Sequence, residues 1–307
     1  MGFRAQALVP PMPELFHPDR LQRLAGLRAR GVEPYPSGDP AGREWAAEAA
    51  AAVDSRAGDS ATVSGRILGR RGYGKLAFLD LYDQSGKIQA CLQKDRLPQQ
   101  DYAILKEINR GDFVRVAGTL GRTKLGEPTL FATSFAILSK ALLDPPEKWH
   151  GLADMELRAR LRYVDLFSNP DVRERFLKRS RLIAAMRTVF KARGYTEVET
   201  PVLHPIYGGA AARPFRTHHN TLDMDLFLRI APELYLKRLL VGGLDRVFEV
   251  NRSFRNEGIS PRHNPEYTML EAYQAYADFE DMMELTESLI RHLVQATLGP
   301  DRSRLTY

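Results

Sequence analysis

DRVFEVNRSFRNEGISPRHNPEYTMLEAYQA, residues 245–275, sets two β-type runs, 245–254 and 266–275, on either side of a polar stretch from Asn256 to Pro265. Run, loop and run predict a hairpin with a long tip. Between Phe254 and Asn264 stand Arg255, Arg262 and His263. A planar guanidinium fork matches phosphate oxygens and an imidazole adds another donor, so this loop suits a triphosphate better than a carboxylate. A solvated hairpin tip is the bland alternative. In the second run, alternation puts Tyr267, Met269, Glu271 and Tyr273 on one face and Leu270 and Ala272 on the other. Two phenols and a carboxylate on one face offer a stacking platform for a base and a site for a cation. A half-exposed sheet face with a Glu–Lys pair gives the same pattern without a ligand.

Upstream, residues 61–140 read as five short strands, near 61–70, 75–82, 87–93, 112–120 and 129–138, with a helix near 99–108. This is the order of an OB-fold, and an SH3-like barrel fits the spacing as well. Asp83–Gly86 and Leu125–Gly126 supply turn chemistry between strands. Alternation sends Ala77, Leu79 and Leu81 inward and Phe78, Asp80 and Tyr82 outward, while Ile88, Ala90 and Leu92 turn in and Gln89 out. Phe78 and Gln89 are therefore expected as exposed neighbours, an aromatic to stack a base and an amide to read its edge. The alternative is a surface aromatic covering apolar stems. Charge points the same way: this region holds 13 Lys/Arg against 7 Asp/Glu, whereas the rest of the chain balances at 31 each. The excess favours a polyanion partner, weighed evenly against a solvated basic surface.

Helices are expected over 18–30, around 45–52 and, after the Asn169-Pro170 cap, up to Gly194, with Val172, Phe176, Ile183 and Phe190 marking one face of the last. Residues 195–201 read as extended, and Asp278 caps a final helix carrying Met282, Leu285, Leu289 and Leu293. A length of 307 residues predicts two domains, and 44% apolar with 27% charged residues excludes disordered and collagen-like chains. No window approaches a membrane span, and the opening residues carry no hydrophobic leader, so a cytoplasmic protein is expected. Gln6 stands where a myristoylation signal has Ser or Thr. Cys91 is the one cysteine, which excludes an intramolecular disulfide. Nucleotide motifs of the GxxxxGK[ST] and GxGxxG types are absent; Gly208–Phe215 is rich in small residues, so its backbone can approach a ligand.

KWHGLADMELRARLRYVDL (148–166), ARGYTEVETPVL (192–203), YGGAAARPFRTHHN (207–220) and the block from Leu228 to Asp278 together resemble class II lysyl-tRNA synthetases. The resemblance implies an α+β protein: a helical extension over 1–60, an OB-fold anticodon-binding barrel over 61–140, a linker over 141–155, and an incomplete antiparallel-sheet catalytic domain with motifs one and two over 156–307. It implies activation of lysine with ATP and Mg2+, transfer to tRNA(Lys), and a homodimer through motif one. Arg255 is then the catalytic residue bridging the α-phosphate and the lysine carboxylate. Arg262 and His263 face the outer phosphates, Glu257 and Asn264 complete the nucleotide pocket, and Tyr267 stacks on adenine where the family usually has Phe. Gly209 and Glu233 are the implied α-ammonium site, Glu271 and Tyr273 the ε-ammonium end, and Phe78, Gln89 and Glu127 the anticodon contacts. Motif three and the carboxylates that hold Mg2+ are expected beyond Tyr307, so the chain reads as a fragment, or else as a catalytically inactive tRNA-binding or regulatory derivative.

Overall fold

Alternating apolar residues on five strands close a barrel in the first of two units, which divide after Pro170. The computed structural model describes residues 16–38, 42–146, 152–260 and 262–299. The start of the expected 1–60 extension and residues 39–41 within it, part of the 141–155 linker and the last residues of the expected catalytic domain lie outside that description.

Helices α1 (Pro18–Ala29) and α2 (Ala46–Ala51) precede strands β1 (Ser60–Tyr73), β2 (Leu76–Tyr82), β3 (Lys87–Gln93), β4 (Phe113–Arg122) and β5 (Pro128–Ser139), with α3 (Gln99–Ile104) between β3 and β4. The barrel order is β1-β2-β3-β5-β4, closed by β1 with β4 antiparallel and β3 with β5 parallel. Val63, Ile67, Leu79, Leu81, Ile88, Leu92, Val116 and Leu130 fill it, and Leu27 of α1 and Ala49 of α2 join the same core. The inward set expected from alternation is thus observed. The outward set needs a correction: Asp80 is 5% and Gln89 8% exposed, because their polar ends are bonded along the sheet rather than turned to water. Phe78 is half-buried.

The barrel also buries a charge pair. Lys140, fully buried at the end of β5, donates from Nζ to Asp112 Oδ2 at 2.8 Å and to Asn109 Oδ1 at 2.5 Å, and Asp112 accepts from the Asn109 and Ala141 amides at 2.8 Å. Burial pushes the Lys140 ammonium below its usual range despite the carboxylate beside it. Two short helices, α4 (Met155–Arg160) and α5 (Arg162–Ser168), complete this unit around the buried Asp165, which receives Arg158 Nε at 2.9 Å.

In the second unit a long helix α6 (Pro170–Ala192) leads to a short β6 (Thr196–Glu197), so only two residues of the expected 195–201 segment are strand. Of the expected helical face Val172 and Phe190 are buried and Ile183 is half-buried, while Phe176 is 46% exposed; the α6 residues in the core cluster are Leu182, Ala185, Met186, Val189 and Phe190. They meet Phe248 of β10 (Arg246–Phe254) and Leu285, Leu289 and Leu293 of α8 (Phe279–Leu298), which Asp278 caps through a reciprocal capping box. Strand β11 (Glu266–Gln274) pairs antiparallel with β10, and β6 pairs with β10 in parallel, giving the order β11-β10-β6. Unforeseen from sequence were a second sheet, with β9 (Met224–Leu228) between β7 (Leu203–His204) and β8 (Arg216–His219), and helix α7 (Glu233–Val241).

Removing one partner of the buried Lys140–Asp112 pair leaves an uncompensated charge. Asp112→Ala is expected to lower the stability of the barrel unit by about 3–5 kcal/mol, read as a fall in the chemical denaturation midpoint.

Candidate active site and barrel cleft

The register of β10 against β11 assembles the first site. Glu249 lies opposite Glu271, Asn251 opposite Met269 and Ser253 opposite Tyr267, so one hairpin face carries Glu249, Asn251, Ser253, Tyr267, Glu271 and Tyr273. At the end of the ladder Arg255 N donates to Pro265 O at 2.8 Å, which closes the tip loop. Ser260 and His263 brace that loop, with Ser260 Oγ 2.7 Å from His263 Nδ1. Outside the loop, Asn256 N donates to Arg213 O at 2.8 Å and Arg213 N to Glu257 Oε1 at 3.4 Å, so the small-residue stretch runs against the tip.

A cleft of about 370 Å3 opens between these groups, lined by Arg255, Glu257, Arg262, His263, Asn264 and Tyr267. Six residues singled out in the sequence thus share one wall. Arg255 Cζ stands 5.5 Å from the Tyr267 ring centroid. Arg255 Nε and the Tyr267 hydroxyl are buried without a hydrogen-bond partner among the described residues, as is Asn251 Nδ2 on the same hairpin face. Orphaned donors of this kind cost about 1–3 kcal/mol each, which a bound acceptor would recover. Burial also raises the Tyr267 phenol above its usual range.

The other end of the same face is acidic. Tyr273 donates to Glu271 Oε2 at 3.1 Å. Burial pushes the Glu271 carboxyl above the usual carboxylate range; the Tyr273 hydrogen bond opposes this and the fields of Glu233 and Glu249 add to it. The Tyr273 phenol is raised too, first by burial and then by Glu271. Glu233, at the start of α7, accepts from Lys237 Nζ at 2.7 Å. Gly209 sits against it with φ +86, and a Cβ there would meet Glu233 Cβ at 2.9 Å, so both backbone conformation and space require glycine.

Sequence reasoning missed the pair beneath this end. Arg229 and Glu249 are each about 5% exposed by side chain and meet at 2.7 Å, while Thr200 Oγ1 donates to Glu249 Oε2 at 2.7 Å and Arg229 Nε to Arg252 O at 2.8 Å. Only the parity of Glu249 with Glu271 could have signalled it. With Glu249 neutralised by Arg229, Glu271 is the carboxyl of the facing pair without a cationic hydrogen-bond partner. Among the described residues no group of three or more His, Cys, Asp or Glu could hold a metal ion, so no step through Mg2+ is derived for them.

A second cleft, about 510 Å3, opens on the barrel and is lined by Arg71, Phe78, Asp80, Lys87, Gln89, Thr123, Leu125 and Glu127. It brings together Phe78, Gln89 and Glu127, the three residues named from the sequence. Glu127 is exposed and lies 3.5 Å from Lys87 Nζ. Arg71 and Thr129, which grip Gln89, were not foreseen.

An OB-fold followed by a synthetase-type hairpin with an arginine-bearing tip defines a class II tRNA synthetase architecture. The family models agree: an OB-fold nucleic acid binding domain matches residues 61–138, and tRNA synthetases class II (D, K and N) match residues 154–304. The lysine–tRNA ligase of Carboxydothermus hydrogenoformans is 52% identical over 280 residues, 91% of this chain and 57% of the relative. That of Syntrophomonas wolfei is 51% identical over 276 residues, 88% of this chain and 55% of the relative. That of Magnetococcus marinus is 51% identical over 284 residues, 90% and 56%. The chain belongs to the lysine–tRNA ligase family of class II synthetases. It spans little more than half the length of the curated relatives it matches.

Burial raises the Glu271 pKa most, and the like charge of Glu233 adds to it, so neutralising that neighbour lowers it. Glu233→Gln is expected to shift the Glu271 titration to lower pH in a carboxyl 13C NMR titration.

Proposed function

We propose that the hairpin cleft binds ATP and lysine for adenylate formation, with tRNA(Lys) as the acceptor held in part by the barrel cleft. The observation that carries this reading is the division of one hairpin face into a donor-rich end, with Arg255 and Tyr267, and an acidic end, with Glu271 and Tyr273. ATP and lysine have the complementary charges. Arg255 is placed to bridge the α-phosphate and the lysine carboxylate, stabilising charge that grows as the carboxylate attacks phosphorus and pyrophosphate leaves. Arg262 and His263 meet the outer phosphates, Glu257 and Asn264 the rest of the nucleotide, and the Tyr267 ring stacks on adenine. Glu233 beside Gly209 takes the α-ammonium, displacing Lys237, and Glu271 with Tyr273 takes the ε-ammonium.

On the barrel, Phe78 stacks an anticodon base while Gln89 and Glu127 read edges. Mg2+ would accompany ATP as its usual counterion. A cytoplasmic location belongs to this reading; among the described residues no helix is long and apolar enough to cross a membrane. So does a homodimer through residues 170–201, for which a two-chain species in sedimentation at micromolar concentration is the expected result.

Arg255→Ala is expected to abolish ATP-dependent lysine binding in calorimetry and any lysine-dependent pyrophosphate exchange, with the fold retained by circular dichroism. Undiminished binding in that variant would sink the reading of this cleft.

A further inference from the structure

Gly69, Asp80, Gln89 and Thr129 are successive partners across β1, β2, β3 and β5, one row running through the barrel cleft. A Cβ on Gly69 would lie 1.9 Å from Asp80 Oδ2, so glycine makes the space that the carboxylate fills. From there a chain of hydrogen bonds follows the row. Arg71 Nη2 donates to Asp80 Oδ1 at 2.8 Å and to Gln89 Oε1 at 2.9 Å; Gln89 Nε2 donates to Thr129 Oγ1 at 2.8 Å; the Thr129 hydroxyl donates to Glu127 O at 2.9 Å.

Two constraints act together on which way the amide points. A guanidinium has no acceptor, so the atom facing Arg71 has to be Oε1. A hydroxyl has one hydrogen, and with Thr129 spending it on a carbonyl, the atom facing Thr129 has to be the NH2 group. Asp80 holds Arg71, and the Glu127 carbonyl holds Thr129. The amide keeps one N–H and one lone pair for a ligand, and Arg71 keeps the hydrogens on Nη1 and Nε.

Read across the cleft, the order is donor from Arg71, acceptor from Gln89 Oε1, donor from Gln89 Nε2. Its complement is acceptor, donor, acceptor, the Watson–Crick edge of uracil. A flipped amide would present donor, donor, acceptor, whose complement is cytosine. We propose that Asp80 and Thr129 are positioning residues that hold the Gln89 amide in one orientation, and that this lock is what makes the cleft prefer uracil to cytosine. The inference rests on the reading of the barrel cleft as an anticodon site.

The test uses the whole chain and two RNA hairpins, one the anticodon stem-loop of a lysine tRNA with uridine at its central anticodon position, the other with cytidine there. The wild-type chain is expected to prefer uridine. Thr129→Val, which keeps the shape and removes the hydroxyl, is expected to narrow the affinity ratio about tenfold, the discrimination carried by one well-placed hydrogen bond. Thr129→Ser, which keeps the hydroxyl, is expected to restore it. A wild-type ratio in Thr129→Val, or no preference in the wild type, overturns the lock. Binding of neither hairpin by the wild type overturns the anticodon reading and the lock with it. Should the valine variant not fold, the side-chain amide of Gln89 in the wild-type chain decides. Two resolved N–H resonances, one protected from solvent exchange, support the lock, and equal exchange of both overturns it.

Discussion

Pairing of Arg246–Phe254 with Glu266–Gln274 is the constraint on which the second unit depends. A slip of one residue would send Glu249, Glu271 and Tyr267 to the face now occupied by Phe248, Leu270 and Ala272, emptying the site and burying carboxylates against α6 and α8. Two features hold the register. On one face, Phe248 stacks on Phe190 at 4.7 Å between ring centroids, inside the cluster that α6 and α8 complete. On the other, the Arg229–Glu249 pair ties β10 to the segment after β9, where Phe254 N also donates to Arg229 O at 2.9 Å. A buried ion pair is weak as a source of net stability but unforgiving of misplacement, because either partner alone would be left charged in the interior.

That constraint also explains what could be read in the sequence. The hairpin, the barrel strands and the capped final helix announce themselves through local rules: alternation, turn residues and an Asp at the N-cap. The hairpin-cleft residues Arg255, Glu257, Arg262, His263, Asn264 and Tyr267, and Phe78, Gln89 and Glu127 of the barrel cleft, were accessible the same way or through family likeness, since Arg255 to Tyr267 form one segment and Phe78 lies in a strand of plain alternation. Arg229, Thr200, Arg71 and Thr129 were not, because each acts on a residue 18 to 49 positions away and nothing local marks the contact. Alternation failed in an instructive way at Asp80 and Gln89. It correctly assigned them to the cleft side and wrongly equated that side with exposure; a row of side chains bonded to one another shields its own polar atoms. The stripe on α6 held at Val172 and Phe190, both buried, and missed at Phe176, which shares their helical face and stays 46% exposed.

The two clefts satisfy their polar groups differently. Along the barrel row every named donor ends on an acceptor of the chain itself, from Arg71 through Gln89 to the Glu127 carbonyl. In the hairpin face Arg255 Nε, the Tyr267 hydroxyl and Asn251 Nδ2 end on nothing among the described residues. A closed network presents a fixed edge, which suits discrimination among flat bases of similar size. Open donors carry an energetic cost until a ligand arrives, which suits a site whose partner brings several anionic oxygens.

Net charge has to be weighed against the same accounting of partners. Of the 13 Lys/Arg between 61 and 140, Arg66, Arg70, Arg71, Lys75, Lys87, Arg110, Arg122 and Lys140 already meet carbonyls or carboxylates of the chain. Arg66 is further enclosed between the rings of Phe113 and Phe167, at 4.2 and 4.4 Å. Such residues shape the barrel and contribute to its field at long range, but those locked in the interior cannot each neutralise a phosphate. The salt dependence of RNA binding follows the number of phosphates neutralised and not the number of basic residues in the segment. The barrel therefore spends part of its basic excess on its own carbonyls and carboxylates, deepest at Lys140, while Arg71, Lys75, Lys87 and Arg122 stay exposed although each is paired.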